Sequence, residues 1–232
     1  IALNARTGER AWHFQIVHHD IWNFDLPTAP ILLDVNTEQG PTKIVAQPTK
    51  QGLVYTFNRE TGEPIWPIEE VPFPSSIVPG EQLAATQPIP TKPAPFDMQG
   101  LSLDTLVDFT PEIRAQAVAA VADYQLGPLF NPPLHRDNPL GKISSMICPS
   151  GAVNITHPSV ADPTTGILYV TSRSSCSARP LVSGEEADTY YDAPTGTTLS
   201  QYAAGRGGPS PRHPLGIPLW KPPYSRITAI DM

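Results

Sequence analysis

Two stretches gather the residues able to do chemistry. His18-His19-Asp20-Ile21-Trp22-Asn23-Phe24-Asp25-Leu26-Pro27 sets imidazoles, carboxylates and an amide around aromatic rings, and closes on a proline that forbids helix. Thr49-Lys50-Gln51-Gly52 puts a lone lysine beside a glycine and runs into the strand-like Leu53-Val54-Tyr55-Thr56-Phe57. A cation and several oxygen ligands held on strand ends suit a polar site on a rigid sheet. The same residues also read as a surface loop followed by an ordinary strand.

The elements that must position them come from an internal repeat. Ala2-Leu3-Asn4-Ala5-Arg6-Thr7-Gly8-Glu9-Arg10-Ala11-Trp12 is echoed by Thr56-Phe57-Asn58-Arg59-Glu60-Thr61-Gly62-Glu63-Pro64-Ile65-Trp66. A third copy is Val160-Ala161-Asp162-Pro163-Thr164-Thr165-Gly166-Ile167-Leu168-Tyr169-Val170, and a fourth begins at Ala229-Ile230-Asp231. In each, an Asn or Asp caps a tight turn, Thr-Gly closes it, and the next strand leaves. The Trp that ends two copies can lie flat between neighbouring units. Short half-buried strands are expected at 31–33, 44–46, 53–57, 167–171 and 227–230. Strands of this length between turns suggest a β-propeller or a sandwich, and the repeat length favours the propeller.

Residues 67–150 and 182–223 read as long excursions. The proline-dense stretch from Pro67 to Pro95 is expected to avoid regular sheet and to form an extended, packed loop or a linker. Thr110-Pro111-Glu112 starts the one convincing helix, with Thr110 as N-cap and Ile113, Ala117, Ala120 and Val121 on its apolar face. Gly127-Pro128 lies past its end. Gly205 to Pro211 is glycine-rich, but no helix start follows, which discounts a phosphate cradle.

Hydrophobic residues make up 40% of the 232 and charged ones 16%, which marks a globular chain rather than a disordered one. A net charge of -7 gives no support to nucleic-acid or anionic-membrane binding. No window reaches the apolar length of a membrane span. Cys148 and Cys176 could bridge in an oxidising space or stay separate buried thiols, and their spacing does not resemble a zinc site. The chain opens on Ile1 and closes at Met232, each inside a repeat, and so reads as a fragment.

The turns resemble the tryptophan-docking pattern A-x-D-x-x-T-G-x-x-x-W of the quinoprotein dehydrogenases. His18 to Pro27 resembles the active-site strand end of their pyrroloquinoline-quinone-dependent glucose and alcohol dehydrogenases, and Thr49 to Gly52 their lysine-bearing strand. Pro79-Gly80-Glu81 with Thr86-Gln87-Pro88 is similar to a loop of the membrane-type glucose dehydrogenases. The resemblance covers most of the chain and is weakest over 182–218. It implies an all-β fold: about three four-stranded blades of an eight-bladed propeller, spanning residues 1–232, with one short surface helix.

The resemblance also implies chemistry. The cofactor would be pyrroloquinoline quinone with calcium or a lanthanide, and the reaction hydride transfer from an aldose, polyol or alcohol. A quinone or cytochrome would take the electrons. The compartment would be the periplasm or the outer face of the inner membrane, with membrane association left to parts of the chain outside this stretch. Lys50 matches the basic position that binds the quinone and stabilises charge on its oxygens. The family's base follows the motif Trp, where this chain has Asn23. An amide can ligate a hard cation but cannot act as a general base. Asp25 then substitutes as base if the segment is extended, since alternation puts it on the face of Asn23. Asp20 reads as a loop cap. The base could instead lie outside this stretch. Asn154 resembles an Asn at the quinone rim, although Ile155 follows where the family often has Trp. His18 and His19 are read as mouth-lining or structural, and His135, His157 and His213 are assigned nothing. The alternatives are a non-catalytic scaffold and a sugar-binding propeller of the same ancestry.

Overall fold

Alternation of apolar and polar residues builds the first sheet. In Ile31–Thr37, Leu33 and Val35 are buried while Leu32 and Asp34 face out. This strand pairs antiparallel with Gly40–Pro48, which pairs with Val54–Asn58. A short fourth segment closes the order: Asn58 N–H donates to Glu63 O, Ile65 N–H donates to Thr56 O, and Phe57 bridges Pro64. This is the strand order of a propeller blade. The computed structural model describes residues 1–37, 40–153, 159–183, 202–204 and 210–232.

A second sheet joins Val160–Asp162, Ile167–Arg173 and Ser225–Asp231 in antiparallel order. Ala46, Val54 and Phe96 pack with Ala152, Leu168, Val170 and Ile230 between the two sheets. All-β architecture with one α-helix is therefore what the described residues adopt.

The Thr-Gly turns form as expected. In the first two, the Asn4 and Asn58 side chains each accept two backbone N–H groups of the turn. In all three, the glycine N–H closes back on the Asn or Asp carbonyl. Trp12 lies against the second turn: its indole N–H donates to Arg59 O, and a Cβ on Gly62 would meet its ring at 2.6 Å. The third copy departs in position. The second turn follows the third strand of its sheet, whereas Asp162–Gly166 joins the first two strands of its own.

The proline-dense stretch also departs from expectation. Ile68–Pro72 and Thr86–Pro90 pair as an antiparallel ribbon. Bonds from Phe73 N–H to Ala85 O and from Thr91 N–H to Pro67 O set the hydrogen-bonded register. Pro72, Pro88 and Pro90 then fall at positions that need no N–H toward the partner strand. A two-stranded ribbon is all edge, and edges tolerate proline.

The helix spans Pro111–Val121, with Ile113 N–H donating to the Thr110 hydroxyl. Ala117 and Val121 are buried against Leu106, Tyr124 and Leu219. The helix ends at Ala122, and Gly127 pairs with Leu101 instead of capping it. Residues 67–150 thus carry real secondary structure, as does the start of 182–223, where Leu181–Ser183 pairs with Tyr202–Ala204. The two cysteines are joined as Cys148–Cys176, which decides the question that spacing left open. Among the described residues no helix is long and apolar enough to cross a membrane.

Candidate active site

The loop after Trp12 is held from both ends. Asp20 accepts the backbone N–H groups of Trp22 and Phe24, both at 2.8 Å, which curls the chain there. Trp22 donates its indole N–H to Asn131 O at 2.8 Å, and Phe24 is buried edge-on against Phe130. Between these two anchors Asn23 takes φ +62°, a left-handed conformation that Asn tolerates better than most residues. The segment is therefore not an extended strand, and alternation does not put Asn23 and Asp25 on one face; the Asn23 carbonyl and the Asp25 carboxylate instead share one partner, Lys50.

Lys50 enters from the other side. Thr49 and Leu53 close a tight turn by bonds through backbone and hydroxyl, with Gly52 at φ +78°. The Lys50 side chain is only 14% exposed. Its ammonium donates to the Asn23 carbonyl at 3.0 Å and pairs with the Asp25 carboxylate. It is thus the backbone of Asn23, not its amide, that meets the lysine. Asn23 and Asp25 are otherwise exposed.

A cleft of about 1020 Å³ opens beside Lys50, lined also by Gly151, Arg173, Ser174, Cys176 and Arg212. Its wall is built by backbone bonds in series, from Ala152 N–H to Lys50 O and from Arg173 N–H to Ala152 O. Lys50, Arg173 and Arg212 all line it, and cationic residues at a cleft suit an anionic ligand. Arg173 and Arg212 gave no signal in the sequence, because neither belongs to a motif and only the folding of distant segments brings them to Lys50. Asn154 and His157 lie outside the described residues.

The imidazoles act as fasteners. His18 contacts Glu70 at 3.0 Å and His19 contacts Glu81 at 2.8 Å. The buried Gln87 amide bonds both the N–H and the carbonyl of His18. His213 is buried and bonds Ile113 O. Among the described residues, no three His, Cys, Asp or Glu side chains gather as metal ligands.

The model of the PQQ glucose/ethanol/alcohol dehydrogenase β-propeller domain matches residues 1–232. The chain belongs to this quinoprotein family. Among the quinoprotein's curated relatives, the quinate/shikimate dehydrogenase (quinone) of Acinetobacter baylyi is 29% identical over all of the chain and 29% of its own length. The glycerol dehydrogenase large subunit of Gluconobacter oxydans is 30% identical over all of the chain and 33% of its own length. The quinoprotein glucose dehydrogenase of Gluconobacter oxydans is 42% identical over 38% of the chain and 11% of its own length. The chain thus spans about a third or less of the length of the relatives it matches end to end. Among solved structures, the quinohemoprotein alcohol dehydrogenase from Comamonas testosteroni is 17% identical, with a TM-score of 0.48 over 99% of this chain and 26% of that one.

Proposed function

We propose that this chain supplies part of the active site of a quinone-dependent dehydrogenase that oxidises an aldose, polyol or alcohol. One observation carries the reading: a lysine side chain only 14% exposed, its ammonium oriented by the Asp25 carboxylate and the Asn23 carbonyl, stands at a cleft shared with two arginines. Pyrroloquinoline quinone is a planar polycarboxylate, and this donor set fits it: Lys50 would hold the quinone oxygens, and Arg173 and Arg212 would hold carboxylates. When bound, the quinone would supply the acceptor for a hydride from the substrate's carbinol carbon. Lys50 stabilises negative charge on the oxygens it faces, and a fixed cation does this better in a site shielded from water.

Asp25 takes the proton of the substrate hydroxyl. Asp20 is unsuited to that role, because its two oxygens are already committed to backbone N–H groups. Asn23 keeps its carbonyl on Lys50 and offers an amide oxygen to a cation. Calcium or a lanthanide there would need ligands beyond Asn23 and Asp25. Asn154 is proposed at the quinone rim. A quinone or a cytochrome would be the electron acceptor. The Cys148–Cys176 bridge supports an oxidising compartment, in agreement with the periplasm or the outer face of the inner membrane.

The test uses the whole protein, reconstituted with pyrroloquinoline quinone and calcium, and follows dye reduction with glucose, glycerol, quinate or ethanol. Lys50→Met should lower turnover by about 10²–10³, and Asp25→Asn by about 10²–10⁴. A protein that shows neither cofactor absorbance nor dye reduction with any of these would be a scaffold, the reading that Asn23 in the base position keeps open.

A further inference from the structure

We propose that Asp97 is a positioning residue for Lys50, locking the turn that carries the lysine onto the opposite wall of the cleft. Its side chain is fully buried. On one side, the Phe96–Gln99 segment cradles the Gln51–Gly52 turn. Phe96 N–H donates to Gly52 O at 2.8 Å, and the Gln99 amide donates to Gln51 O at 2.7 Å. A Cβ on Gly52 would come within 2.9 Å of the Asp97 Cβ, so turn and aspartate are in direct contact.

On the other side, Asp97 Oδ1 accepts the Ser174 hydroxyl at 2.7 Å, and Ser174 lines the cleft with Lys50. Arg226 ties this contact down. Its guanidinium donates to Ser174 Oγ at 3.1 Å, Pro223 O at 2.9 Å and Phe96 O at 3.2 Å. Ser174 N–H in turn donates to Tyr224 O. The Asp97 carboxylate therefore ties the segment that holds the lysine's turn, Phe96 to Gln99, to Ser174 on the far wall.

Among the described residues, Asp97 Oδ2 and Arg226 Nε have no hydrogen-bond partner. A buried carboxylate left half satisfied is costly for stability. Alignment is what the fold gains from it. Displacing a reacting group by about 1 Å costs on the order of a hundredfold in rate, so the register of this turn matters to any chemistry at Lys50. That consequence rests on the proposed function, whereas the register itself does not.

The experiment is competitive lysine acetylation of the whole protein, read by mass spectrometry at Lys50 with Lys43 and Lys92 as internal references. Asp97→Ala should raise Lys50 labelling on the order of fivefold, the equilibrium weight of one ordinary hydrogen bond. Ser174→Ala should move it in the same direction. Asp97→Asn, which keeps an acceptor for the Ser174 hydroxyl, should bring it back toward the wild-type value. Where Asp97→Ala does not fold, the contrast between Ser174→Ala and Asp97→Asn decides. Lys50 labelling that stays at the wild-type level in the Ala variants, or rises together with Lys43 and Lys92, overturns the proposal. A wild-type protein that binds no quinone would sink the proposed function while leaving the labelling result intact.

Discussion

Lys50 shows how a charge is kept ready inside a folded chain. An ammonium withdrawn from water is costly unless oxygens replace its hydration, and here a carboxylate and a main-chain carbonyl do so. Tyr55 is the neutral counterpart. Its ring is fully buried, and its hydroxyl donates to Pro88 O at 2.6 Å, pinning the ribbon to the first sheet. Tyr55→Phe strands that carbonyl and should cost about 1–3 kcal/mol in denaturant unfolding. Burial pushes the Tyr55 phenol well above its ordinary value of 10.0, with a smaller contribution from Glu70. The unfolded chain therefore loses this proton first as pH rises past that value, and the native state loses stability with it. Tyr55→Phe should flatten this alkaline limb in a pH series of unfolding midpoints.

At the scale of elements, the same turn serves different ends. Gly8 and Gly62 both have φ near +80°, at +76° and +80°. A Cβ on Gly8 meets nothing within 4 Å, whereas one on Gly62 strikes the Trp12 ring. Gly8→Ala should cost only the left-handed backbone penalty, about 1–2 kcal/mol. Gly62→Ala adds the displacement of a docked Trp and should cost about 1–3 kcal/mol more by equilibrium unfolding. The strap between the His18 loop and the proline ribbon has its own pH signature. Hydrogen bonds from Thr86 and then His18 hold the Glu70 carboxyl below its ordinary 4.5. Its contribution is complete above that value and fades as pH falls through the lower folded-state value. Glu70→Gln should reduce the acid sensitivity of the strap, measured as amide exchange at His18 and Gln87.

For the whole molecule, the decisive link is covalent. Cys148–Cys176 closes a loop with a sequence separation of 28 and ties the wall segment before Gly151 to the segment just past the strand that ends at Arg173. In the chain-entropy account, closing such a loop is worth about 3–4 kcal/mol. Cys148→Ser with Cys176→Ser should lower the unfolding midpoint accordingly. Reductant should reproduce the loss in the wild-type protein and add nothing in the double variant.

The sequence by itself determined what local chemistry dictates. The Asn/Asp–Thr-Gly turns, the alternating strands and the capped helix all rest on contacts between near neighbours, so residue type and spacing suffice. The role of Asp20 as a loop brace was legible for the same reason. Only the tertiary structure decided the rest. It showed that proline is tolerated where a strand has one partner, that two cysteines are near enough to bond, and that Asn23 meets Lys50 through its carbonyl. Arg173 and Arg212 come to the cleft, and Asp97 to Ser174 on its wall, from segments far apart in the chain. No pattern in a single sequence records such encounters, because they follow from how distant surfaces bury one another.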